Sequence, residues 1–129
     1  MTVSEDQFIP FYSTNLTGKR VLILSPHPDD ETIGCGGTLA LHSAAGDSVR
    51  VLILTNGAKG DMSARFDRDT YIALRQQETR SACACLGISD IVFWPYEDRE
   101  LDNAETAIWK LIELIKSYSP ELIYAPSPM

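Results

Sequence analysis

The stretch "VLILSPHPDDETIGCGG", Val21 to Gly37, changes character once, and that change decides the fold. Val21–Leu24 is a short apolar run without polar alternation, the pattern of a strand buried on both faces. Directly after it, His27, Asp29, Asp30 and Glu31 crowd into five consecutive positions. From Thr32 to Ala45 the chain is rich in Ala and Leu and reads as a helix that stops at Gly46-Asp47. A buried strand thus passes into a helix through a loop of metal-binding and acid–base side chains.

The alternation continues along the chain. "VLIL" recurs at 51–54, followed by "IVFW" at 91–94 and "LIYA" at 122–125. A second helix is expected over about Asp69 to Leu86, ending at Gly87. A third is expected after Asn103, with Ala104, Ile108, Leu111, Ile112 and Ile115 on one face and Glu105, Glu113 and Lys116 outside. Strand–helix–strand repetition implies right-handed crossovers and a mainly parallel sheet covered on both sides, a Rossmann-like three-layer α/β/α domain. The doubled "RVLIL" reads as two copies of a common strand pattern. In such a sheet ligands bind at the carboxyl ends of the strands. "SPHPDDE", "TNGAKGD" (Thr55 to Asp61) and "PYEDREL" therefore open on one edge.

At 129 residues the chain makes one domain at most. Its formal charge of −7 argues against a nucleic-acid surface, and no stripe of Lys and Arg is visible. The first twenty residues carry Glu5, Asp6 and Gln7 and no long apolar run, so no signal peptide is expected there. No segment approaches the ~20 apolar residues that span a bilayer. Cys35, Cys83 and Cys85 fit neither a disulfide framework nor a Cys-x-x-Cys site and read as small core residues in a reducing cytoplasm.

Two ligands three positions apart fall on one side of a first helical turn. His27 and Asp30 have that spacing, and an imidazole with a carboxylate suits zinc. Asp29 then projects beside the metal, placed to take a proton from water whose pKa the ion lowers towards ~7. Pro26 and Pro28 bracket His27 and restrict it. The competing reading of "DDE" is helix capping, because carboxylates at a helix start accept free N–H groups and complement the dipole. A dinucleotide fingerprint is rejected: Leu39 stands where the last glycine belongs, and a pyrophosphate would meet three carboxylates.

These motifs carry a resemblance. "PHPDDE" with "GCGG", then "TNGAKG", then "RQQETRSACACLG", resembles the LmbE-like/PIG-L family of zinc-dependent de-N-acetylases, over roughly Arg20 to Met129. The resemblance implies hydrolysis of the acetamide of an N-acetylglucosamine-type sugar conjugate. It implies that His27 and Asp30 are metal ligands, Asp29 the general base, and Arg75 a residue of the substrate pocket. Asp98, in "DREL", matches the family's Asp-Gly-x-Leu pattern with Arg99 in place of glycine. Arg75 has support of its own. It falls near the middle of the helix face set by Tyr71, Ala82, Cys83 and Leu86, where a charge rarely sits unless paired or turned into a cleft, so it is expected to be buried and paired with Glu78, three positions on, or with a carboxylate of the "HPDDE" loop.

The family completes its metal site with a later histidine. Here the only other histidine is His42, about eleven residues further along the first helix and so ~16 Å away along its axis. It reads as an ordinary helix residue. The expectation is therefore the N-terminal portion of a single deacetylase domain that holds two of three zinc ligands and is weakly active or inactive alone. The last strand is expected to leave a sheet edge open to pairing with a second copy, a route to a homo-oligomer. The rival reading is a non-enzymatic binding or regulatory module that keeps the fold; a weaker one is a metal hydrolase acting on another amide.

Overall fold

The computed structural model describes residues 17–101 and 105–127. Four strands and three helices alternate: β1 (Arg20–Ser25), α1 (Asp30–Ala44), β2 (Ser48–Thr55), α2 (Arg68–Cys85), β3 (Asp90–Tyr96), α3 (Glu105–Tyr118) and β4 (Leu122–Tyr124). A single 3₁₀ turn, Ala58–Gly60, lies between β2 and α2. The strands form one sheet in the order β3-β2-β1-β4, and every pairing is parallel. Parallel neighbours need crossovers, and the helices supply them. All four strand C-termini therefore open on one edge, as the sequence implied.

Side-chain alternation sorts the helices onto two faces. Val21 and Ile23 of β1 with Val49, Val51 and Ile53 of β2 pack against Leu39 of α1 and Cys83 of α2. Each fully buried aliphatic side chain there contributes about 1.5–3 kcal/mol. Leu22 and Leu52 point the other way and are equally buried. On that face Tyr118 of α3 lies under the Arg50 guanidinium, 4.3 Å from its ring centre, with its hydroxyl 3.0 Å from the Ser48 carbonyl. The three-layer arrangement follows. Pro95 sits in β3, an edge strand, where a missing N–H costs no ladder bond, and the register slips between Ile53 and Thr55 beside it.

Three expectations are corrected. Along α3 Ile108 is 61% exposed and Ala107 is buried instead, while Leu111, Ile112 and Ile115 are half-buried and Glu105, Glu113 and Lys116 exposed, as expected; Ala104 lies outside the described residues. Of the cysteines only Cys83 is a core residue, its thiol pushed up to about 11 by burial and then by Glu31, whereas Cys85 is exposed; all three are free. His42 is more than an ordinary helix residue. It is buried, with Nδ1 2.6 Å from Asp47 Oδ2 and Nε2 3.0 Å from Tyr124 Oη, and so ties the end of α1 to edge strand β4. Among the described residues no helix is long and apolar enough to cross a membrane.

Asp47 closes this network. Its shielded carboxylate also accepts the Gly18 and Lys19 N–H groups. The His42 hydrogen bond, then those backbone bonds, hold it below the usual carboxylate range against the opposing effect of burial. A depressed carboxyl adds stability above its unfolded pKa and loses it as pH falls through the folded value. Urea denaturation of wild type and Asp47→Asn should show a stability gap that is full above about pH 4 and narrows as the pH falls below that value. A gap of constant size through that fall would contradict the assignment.

Candidate functional site

Between β1 and α1 the chain has only Pro26 to Asp29 in which to turn, and three acidic residues divide the work. Asp29 is the N-cap residue of α1, yet its side chain makes no capping bond. Glu31 does that work instead. It is 1% exposed and folds back so that Oε2 accepts the Asp29 N–H at 3.1 Å, as the far member of a capping box does. Ser25, at the end of β1, anchors it: Ser25 Oγ lies 3.0 Å from Glu31 Oε2 and accepts the Glu31 N–H at 3.1 Å. Capping, the competing reading of "DDE", is real here, but of the three acids it belongs to Glu31.

Asp30 faces His27. Its Oδ2 accepts the His27 N–H at 3.0 Å and stands 3.1 Å from the ring Nδ1, with both side chains nearly half exposed. Two ligands at ~2.0–2.2 Å on one tetrahedral zinc stand ~3.3–3.6 Å apart, so the pair needs only a few tenths of an ångström to share an ion. The convergence expected from the spacing is present. Among the described residues no group of three His, Cys, Asp or Glu side chains could hold a metal ion together.

Asp29 is held apart from that pair. Its φ of 116° and ψ of −27° lie where a residue with a Cβ is strained, at a cost of order 1–3 kcal/mol. Arg75 holds it there from α2: Nη2 donates to Asp29 Oδ2 at 3.0 Å and also bonds the Pro28 carbonyl. The Arg75 side chain is only 15% exposed, and its partner is the loop carboxylate. Glu78 is exposed and takes no part in this grip. Asp29 and Arg75 line a hollow of about 160 Å³ with Pro28, Thr32 and Thr79. Asp30 opens into a different one, about 400 Å³, beside Pro26, Gly34 and Tyr124.

The loop after β2 is fitted against Arg75. A Cβ on Gly60 would come within 2.9 Å of both Arg75 Nη1 and Tyr71 Oη, and one on Gly57, at φ 70°, within 3.0 Å of Pro28 Cδ. Neither position admits a side chain without displacing the clamp. Asp98, after β3, is buried and organises this loop: Oδ1 accepts Thr55 Oγ1 at 2.7 Å and the Gly57 N–H at 3.0 Å, and Oδ2 the Lys59 N–H at 3.0 Å. Burial alone would raise this carboxyl; the bonds from Thr55, Lys59 and Gly57 prevail and hold it low. Arg99 takes a φ of 72°, a conformation that favours glycine, which is why glycine suits that position in the Asp-Gly-x-Leu pattern.

Fold and site define a class: a Rossmann-like α/β domain with an imidazole–carboxylate pair and a separately held carboxylate at the carboxyl edge of a parallel sheet. The family model of PIG-L, GlcNAc-PI de-N-acetylase, matches residues 22–129, and the chain belongs to that family. A diacetylchitobiose deacetylase of Thermococcus kodakarensis is 29% identical over 110 residues, covering 85% of this chain and 41% of the relative. A probable N-acetyl-alpha-D-glucosaminyl L-malate deacetylase 2 of Bacillus subtilis is 33% identical over 110 residues, covering 81% and 50%. The N,N'-diacetylchitobiose deacetylase of Pyrococcus horikoshii, solved with an inhibitor, superposes with a TM-score of 0.80 at 30% identity, covering 84% of this chain and 40% of that one. The chain thus spans about two fifths to half the length of the relatives it matches.

The strain at Asp29 has a measurable consequence. In Asp29→Gly the relieved strain of about 1–3 kcal/mol exceeds the loss of a half-exposed ion pair worth about 0–1 kcal/mol. Chemical denaturation should find the variant at least as stable as wild type. A loss of more than about 1 kcal/mol would mean that the Arg75 contact, rather than strain, dominates this position.

Proposed function

We propose that this chain carries the proton-transfer residue and two metal ligands of a zinc-dependent N-deacetylase acting on an N-acetylglucosamine-type sugar conjugate, with amine and acetate as products. The observation that carries the reading is the separation of roles: His27 and Asp30 face one another across the open edge, while Asp29 is clamped beside them by Arg75. The imidazole nitrogen and carboxylate oxygen are a donor set that zinc takes readily. Bound there, zinc would supply Lewis acidity towards an acetamide carbonyl and ease deprotonation of water at the site.

The residues of the chain do the rest. Asp29, fixed in orientation by Arg75 and by the Glu31 cap on its N–H, accepts the proton of the attacking water. It then returns that proton to the departing nitrogen as the carbon–nitrogen bond breaks. Arg75 borders the substrate side of the Asp29 hollow. Asp98 contributes on the substrate side through the Asn56–Gly60 loop that it holds in shape. Among the described residues two ligands converge, short of the three usual at a catalytic zinc, and a site so made retains zinc weakly and turns over slowly. The family deacetylases named above favour this reading over a non-enzymatic module.

Zinc content and acetate release of the purified protein test the assignment. Asp29→Asn should keep zinc and lose about 10²–10⁴-fold in turnover, because a carboxamide cannot take the proton. His27→Ala and Asp30→Asn should lose zinc together with activity. An Asp29→Asn protein that releases acetate at the wild-type rate would end the general-base assignment, and a wild-type protein with neither zinc nor acetate release would favour the module.

A further inference from the structure

South of the clamp, between the 3₁₀ turn and α2, the chain builds a second feature that the reaction does not use. Asp61 Oδ2 accepts the Phe66 N–H at 2.9 Å and pins the loop. Phe66 is thereby laid against Tyr71, ring centres 6.0 Å apart and planes 22° from parallel, and still remains 43% exposed. The two rings border a hollow of about 280 Å³ whose polar lining is Lys59, Asp61, Arg68 and Glu97. Tyr71 connects this hollow to the site, since its hydroxyl lies 3.3 Å from Arg75 Nη1 and the same guanidinium holds Asp29.

We propose that this hollow is a subsite for the non-reacting part of the substrate, and that it takes an uncharged sugar ring in preference to an anionic group. The proposal rests on the deacetylase reading above. An exposed, fixed aromatic ring offers a flat apolar surface to the C–H face of a pyranose, and polar neighbours around it meet the hydroxyls. The charges decide between a neutral and an anionic occupant. Arg68 is paired with Glu97 and Asp69, and Lys59 Nζ donates to the Asp98 carbonyl at 2.8 Å. Both cations of the lining are thus engaged, and Asp61 and Glu97 stand beside them. Among the described residues the lining carries two cations and two carboxylates, with Glu97 held by Arg68 and Asp61 paired with Arg65, so a carboxylate or phosphate entering here would find no excess of positive charge to offset the loss of its own hydration. A neutral ring loses nothing of that kind.

The test is binding, which needs no turnover. N-acetylglucosamine, N,N'-diacetylchitobiose and N-acetylglucosaminyl malate would be titrated by saturation-transfer NMR into wild type, Phe66→Ala and Phe66→Trp. Wild type should bind the disaccharide about three- to tenfold tighter than the monosaccharide, the gain expected of one stacked ring. Phe66→Ala should erase that advantage and leave monosaccharide affinity alone, Phe66→Trp should keep it, and the malate conjugate should bind no tighter than the monosaccharide. The subsite is overturned if the disaccharide has no advantage, if its advantage survives Phe66→Ala, or if the malate conjugate is preferred. In each of those cases a bound monosaccharide leaves the deacetylase reading standing. If no sugar binds, both fall. Phe66 lies at the surface, so unchanged amide spectra of both variants show that the fold is kept.

Discussion

One guanidinium organises the carboxyl edge of this sheet. Arg75 reaches from α2 across to the turn between β1 and α1 and bonds both the Pro28 carbonyl and the Asp29 carboxylate. That grip helps to hold Asp29 at a φ of 116°, where its Cβ is unwelcome. The Glu31 carboxylate secures the same residue from below through its N–H. Strain at one residue, held from two sides, is the usual signature of a position shaped for chemistry rather than for stability. The glycines at 57 and 60 let the neighbouring loop close on the clamp, and Asp98 fixes that loop.

The same constraint explains how three adjacent carboxylates avoid doing one another's work. Glu31 is turned inward to Ser25 and the N-cap, Asp30 outward to His27, and Asp29 sideways to Arg75. Each therefore sees a different environment although they are consecutive in sequence. A ligand must present its lone pairs to the metal, whereas a base must reach a proton near the metal without binding it. In the proposed reaction the strained backbone at Asp29 would separate these two directions within a single turn of chain.

Much of this was legible in the sequence, and the losses have physical causes. The apolar runs mark β1 to β4 and their parallel arrangement, although only β1 and β2 are largely buried and the edge strands β3 and β4 are half-buried. The His27–Asp30 convergence followed from spacing along one turn. The burial of Arg75 followed from helix phase, which left its partner open between Glu78 and a carboxylate of the "HPDDE" loop; Asp29, 46 positions earlier, takes that place, and Glu78 points to solvent. Glu31 and Asp98 are buried acids whose partners come from the strand end and from another loop, and a local pattern cannot show that. On α3 the sheet accepts Ala107 and Tyr118, a small and an amphipathic residue, while the larger Ile108 is left outside. Hydrophobicity placed Leu111, Ile112 and Ile115 correctly and failed at Ile108.

The central claim is that the ion sits on His27 and Asp30 while Asp29 stays with Arg75. Anomalous diffraction from crystals of the chain soaked in zinc measures both halves at once. The account predicts a zinc peak within ~2.0–2.2 Å of a His27 ring nitrogen and an Asp30 oxygen, with Asp29 still at positive φ and bonded to Arg75. A peak ligated by Asp29, with that carboxylate swung off the Arg75 guanidinium, would contradict it.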